Sequence, residues 1–134
     1  MTLATINYVI LRTTSLEFDE AVETVTAALA EEEFGILTEI DVQATLKKKL
    51  DIDRPKYVIL GACNSNLANV VLNVESWVGL LLPCNVVIQE LDGVTQVGFM
   101  DPEVIRREAQ NSTIAETVRD AKDRLRRVAN SIPE

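Results

Sequence analysis

Apolar positions along the chain keep two different periods, and the switches between them mark the elements. Residues 4–12, ATINYVILR, are β-branched and apolar and predict a strand. Phe18, Val22, Val25 and Leu29 then recur at helical spacing. They predict a helix from about 16 to 33, with Glu17, Asp19 and Glu20 in the first turn, where the helix dipole favours acids. Gly35 is the expected stop. GILTEI predicts a second strand near 36–41, and Asp41 can cap a short helix, VQATLKKKL, with Val42, Leu46 and Leu50 on one face. KYVILGAC is apolar throughout, as a strand inside a sheet would be. NSNLANVVLNV predicts a helix capped by Asn64, Ser65 or Asn66.

The second half brings a hairpin. NVVIQEL and VTQVGFM flank Asp92-Gly93, and Asp-Gly between apolar runs favours a tight turn whose twist matches the strands. Asp101-Pro102 ends the last strand, since proline cannot donate to the ladder. The tail opens with a capping box, Thr113 to Glu116, and Ile114, Val118, Ala121, Leu125 and Val128 form one stripe. That is a long amphipathic helix covering a sheet. The interleaved strands and helices with a late hairpin predict a two-layer α+β fold: a single mixed sheet, helices mainly on one face, and a long C-terminal helix.

Composition narrows the classes. A chain of 134 residues fits one domain, 1–134, without repeats or linkers. Aromatic residues are 4% of the chain, so the core is aliphatic. The net charge of −8 opposes binding to nucleic acid and to anionic membranes, which needs clustered Lys and Arg. There is no histidine, which excludes Ser-His-Asp and Cys-His catalysis within the chain and removes a common metal ligand. The N-terminal stretch reads as a strand and not as a signal peptide. Two cysteines without an export signal suggest reduced thiols and a cytoplasmic protein.

Those cysteines are the candidate chemistry. Each lies in an apolar run and is followed at once by asparagine, Cys63-Asn64 and Cys84-Asn85. Cys63 ends a strand beside a helix N-terminus, where free N–H groups can lower a thiol pKa. Asn64 and Asn85 offer both donor and acceptor to a ligand. Cys84 follows Pro83 at the entrance to another strand. If the two strands are antiparallel neighbours, the thiols meet at one sheet end and both asparagines line one concavity. If they are parallel, the thiols stand a strand length apart, ~17–20 Å; VGLLLP is long enough to carry the chain back to the first end, which favours the antiparallel case, so the two thiols are expected to approach each other. Inert packing competes with any site, because free cysteine often behaves as a small buried hydrophobe. Asn64 and Asn85 equally suit cap and turn roles, Trp77, Tyr8 and Tyr57 suit core or rim, and Asp101-Pro102-Glu103 suits a turn.

FDEAVETVTAALAEEEFGILTEIDVQATLKKKL, YVILGACNSNLA, GLLLPCNVVI and DPE together resemble the domain of unknown function 302 family, from about residue 8 to 128. The most specific segments are Gly61–Asn64 and Pro83–Asn85. The resemblance implies a small α+β fold like that of the TATA-binding protein, often dimeric, and implies no reaction. It also implies proline after Cys-Asn, where this chain has Ser65, a residue that can cap the helix instead. The expectation is a homodimeric, non-enzymatic module holding a small-molecule or soft-metal ligand at Cys63, Asn64, Cys84 and Asn85. A thiol redox protein using both cysteines and a scaffold without small-molecule chemistry are the alternatives. Cofactor and catalytic residues stay unassigned.

Overall fold

The computed structural model describes residues 7–134. Five strands, β1 (Val9–Thr14), β2 (Gly35–Asp41), β3 (Tyr57–Cys63), β4 (Cys84–Leu91) and β5 (Val94–Met100), form one sheet in the order β1-β5-β4-β3-β2. Residues 4–6 of the expected first strand lie outside the described residues. The helices are α1 (Phe18–Glu31), α2 (Val42–Leu50), α3 (Ser65–Val74), α4 (Glu103–Glu108) and α5 (Ala115–Ser131), with 3-10 helices at Ser76–Leu81 and Ser112–Ile114. The expected α+β architecture and long C-terminal helix are present.

The sheet is not mixed, however; every pairing is antiparallel. Two helical connections leave and re-enter the sheet at the same end. Asp41, just before α2, pairs with Val58 just after it, and Ala62, just before α3, pairs with Cys84. A helix between neighbouring strands therefore does not make a parallel crossover here; it makes an excursion and a return. The β4–β5 turn is the expected one, with Asp92 and Gly93 both at positive φ.

Alternation along the strands sorts the side chains onto two faces. Val58, Leu60, Ala62, Val86, Ile88, Val97 and Phe99 point to one face and are buried there. Ala21, Val25 and Leu29 of α1 and Leu125, Val128 and Ala129 of α5 close over them. All five members of the C-terminal stripe are buried. Two arginines of α5 fasten it to the end of α1. Arg127 donates two hydrogen bonds to the Glu32 carboxylate, at 3.0 and 2.8 Å, and Arg124 donates to the Glu32 carbonyl at 3.1 Å. The Arg127 hydrogen bonds hold the Glu32 carboxyl below its usual range.

Several local expectations need correcting. The left-handed residue after α1 is Glu33, and Gly35 already belongs to β2. The Thr113–Glu116 box is not used, because the chain enters α5 through a 3-10 turn; Asn111 caps that turn by accepting from the Thr113 N–H at 2.9 Å. α2 buries none of its residues, and Leu50 is exposed. Trp77 is 76% exposed and so is not a core residue. Asp101 does serve a turn: its Oδ1 accepts from the Glu103 N–H at 2.9 Å. Among the described residues no helix is long and apolar enough to cross a membrane.

Candidate functional site

At the end of β3 the Gly-Ala-Cys-Asn segment divides into separate jobs. A Cβ on Gly61 would lie 2.2 Å from Thr38 Oγ1 and 3.0 Å from Pro83 Cγ, so glycine lets both neighbouring segments close against the strand. Ala62 is fully buried opposite Cys84. Asn64 is buried and caps α3, its Oδ1 accepting from the Leu67 N–H at 3.2 Å and its Nδ2 donating to the Glu32 carbonyl at 3.5 Å. Of the three residues that could have capped this helix, Asn64 does so, and Ser65 is its first helical residue. One N–H that might have faced a thiolate is thereby already taken. Asn64→Ala is expected to cost about 1 kcal/mol of stability, and Asn64→Asp, which keeps the acceptor, clearly less. Chemical denaturation checks the order; equal losses would mean that the cap bond contributes nothing.

The two thiols lie at the same end of adjacent strands. Cys84 opens β4 directly across from Ala62, and Cys63 is the next residue along β3. Both are free; Cys84 is buried and Cys63 half-buried. The peptide before Pro83 is cis. Burial, with a smaller contribution from nearby Cys63, pushes the Cys84 thiol from its ordinary 9.0 up to about 11. Asn85 does not join them. It follows Cys84 along β4, so the pleat turns it to the opposite face, and it is exposed and lines no part of the cavity described next.

Cys63 and Cys84 border a cavity of about 40 Å³ where the ends of β3 and β4 meet α3, α4 and α5. Phe34, Leu67, Val71, Ile105 and Val118 supply much of its wall, and Ala121, the small member of the α5 stripe, leaves it room. Besides the two cysteines, its polar lining residues are Asn64 and Thr117. The space suits one or a few small groups, since a water needs roughly 10–15 Å³ in this measure, and it is far below the ~300–1,000 Å³ of pockets for larger ligands. Sequence reading missed the α4 side of this wall. The usable signal was Asp101-Pro102, which reads as a strand end and equally as a helix start. A wider, open cleft between α1 and β2 is bordered by Asp19, Glu23, Glu39 and Asp41. Among the described residues no three His, Cys, Asp or Glu side chains are arranged to hold a metal ion.

Comparison with known proteins agrees with this architecture. The family model described as Domain of unknown function DUF302 matches residues 10–132. The crystal structure of the uncharacterized conserved protein DUF302 from Bacillus stearothermophilus superposes with a TM-score of 0.86 at 28% sequence identity, over 93% of this chain and 98% of that one. No curated protein matches.

Proposed function

This chain belongs to the domain of unknown function DUF302 family, and from the chemistry of its Cys63–Cys84 corner we propose that it is a non-enzymatic binding module taking a small neutral, apolar group. The observation that carries this reading is the pairing of an almost wholly apolar cavity with a buried Cys84 thiol whose pKa is pushed up to about 11. At neutral pH that thiol keeps its proton. Thiolate, not thiol, is the nucleophile and the metal ligand. Two sulfurs, one of them held neutral, make a poor donor set for zinc, which takes four ligands, and a weak one for a softer ion such as Cu(I). The same burial counts against a redox or thiol-transfer role for Cys84. What the corner offers instead is polarizable sulfur and aliphatic carbon around a small space, which suits dispersion contacts with an uncharged group.

Xenon is a suitable probe, because apolar cavities of this kind stay dry and accept it. Methyl spectra recorded under xenon pressure should shift at Leu67, Val71, Ile105 and Val118 and hardly elsewhere. Ala121→Leu, which fills the space, should abolish those shifts while the protein stays folded. Shifts spread evenly over the chain, or unchanged by Ala121→Leu, would refute the reading. Stoichiometric Cu(I) uptake by reduced protein at pH 7 in the presence of a competing chelator would refute it in favour of a metal site.

A further inference from the structure

One edge of the sheet lies open. β2 pairs only with β3, and of its seven residues only Ile36 is not exposed. The opposite edge is better covered: every residue of β1 is half-buried or buried, and α5 packs against it. Along Gly35–Ile40 the outward N–H and C=O groups have no hydrogen-bond partner among the described residues. The register shifts at Leu37 and is regular from Thr38 to Asp41. Glu39 and Asp41 stand opposite Leu60 and Val58, so they turn to the face that bears the helices. There, with Asp19 and Glu23 of α1, they border the cleft of about 330 Å³ between α1 and β2. Phe18, Val22 and Val58 give that cleft an apolar lining. Among the described residues none of the four carboxylates is in an ion pair. Lys56 also lines the cleft, but its ammonium lies over the Phe18 ring, 5.6 Å from the centroid. Ile40, opposite Ile59, turns to the other face of the sheet and is 47% exposed.

We propose that β2 is a strand-addition site for an extended segment of a partner protein in which cationic and apolar residues alternate. The segment pairs with the free β2 edge, and its main-chain hydrogen bonds supply affinity that does not depend on sequence. Its period of two supplies the selectivity. Lys or Arg at alternate positions enters the cleft, laying the aliphatic stem on Phe18, Val22 and Val58 and the charge among the four carboxylates. The intervening residues pass beside Ile40 on the other face, where apolar side chains suit them. The charges also choose between occupants. A bulge and inward-pointing charges guard a sheet edge against its own kind. Two β2 edges set side by side would bring Glu39 and Asp41 against the same residues of the other copy, where like charges repel. A cationic strand meets the reverse, because the residues that reject a copy attract it. A neutral or acidic segment gains nothing from the cleft. The proposal does not depend on what the Cys63–Cys84 cavity holds.

The probe is a peptide as long as β2, seven residues alternating Lys and Val, blocked at both ends. Titrated into the full chain at low salt, it should bind saturably. Amide signals of Thr38, Glu39 and Ile40 should shift and exchange more slowly with solvent, and the Val22 methyls should shift with them. Affinity should fall as salt rises. Glu in place of each peptide Lys should abolish binding. Methylating every backbone nitrogen of the Lys peptide keeps its charge and removes its donors, and should abolish binding too. The near-isosteric variant Glu23→Gln/Glu39→Gln, at two exposed positions, should bind the Lys peptide about tenfold more weakly with an unchanged circular dichroism spectrum. The peptide comparisons carry the test if that variant fails to fold. Absence of saturable binding would mean that the edge is only guarded. Equal binding of the methylated peptide would mean charge attraction without strand pairing. Shifts that leave Thr38–Ile40 untouched would place the peptide elsewhere. Each of these would overturn the proposal.

Discussion

Leu125→Ala is expected to lower the unfolding free energy by about 2–5 kcal/mol, the range for truncating a fully buried leucine. Leu125 has no exposed surface and sits among Val97, Phe99 and the α1 residues Val25 and Leu29 in the main core. Its position between two layers decides the magnitude. Neither sheet nor helix can collapse freely into the gap, since α5 is fastened at Glu32 and near its C-terminal end. There Arg12 donates to the Ile132 carbonyl at 2.8 and 2.6 Å. Urea denaturation should show the midpoint falling with little change in slope, as for a native-state cavity. Arg126→Ala, on the exposed side of the same helix, should stay within about 0.5 kcal/mol. A Leu125→Ala loss as small as that would mean that α5 does not cover the sheet.

How much of this was legible in the sequence depended on how local the cause was. The α5 stripe could be read because one face of a helix is a spacing pattern within a single segment. The β4–β5 turn could be read because Asp92 and Gly93 suit its positive-φ positions. The Asn64 cap was among the stated options because capping acts over three residues. Strand direction was legible only through length: VGLLLP is long enough to carry the chain back, which favours the antiparallel pair that the sheet shows. Whether α3 makes a crossover or a return depends on the 3-10 segment Ser76–Leu81 bringing the chain back to the same sheet end. Its apolar residues carry no period that says so. The stop of α1 was misplaced for a related reason: Gly35 suits a left-handed position, but the helix ended earlier and Glu33 took that conformation. Asn85 was grouped with Cys84 by adjacency in sequence, whereas adjacency in a strand means opposite faces. The cavity itself joins residues from Phe34 to Ala121, and no window of the sequence holds them together.

Raising the pH from about 9 to about 11 should destabilise the wild-type protein more than a Cys84→Ala variant, by up to about 3 kcal/mol. In the unfolded chain the thiol ionises near its ordinary 9.0; in the folded chain it holds its proton to about 11. Between those values the folded state binds the proton more tightly, so stability falls as pH rises. The contribution is therefore complete below 9, declines through the window, and is gone above 11. Two pKa units correspond to about 2.7 kcal/mol. Cys84→Ala loses some packing at every pH, so the quantity to follow is the difference between the two stability curves. Subtraction also removes whatever else ionises in that window, provided its surroundings are unchanged. Cys63→Ala should largely retain the alkaline decline, because burial is the first cause of the Cys84 shift and Cys63 the lesser one. Alkylation gives an independent readout at pH 8: Cys84 should label only as the protein unfolds. Parallel wild-type and Cys84→Ala curves from pH 9 to 11 would mean that the thiol is solvated, and a solvated thiol could serve as thiolate. The neutral cavity would then lose the observation that carries it, and the redox and soft-metal readings of Cys63 and Cys84 would take its place.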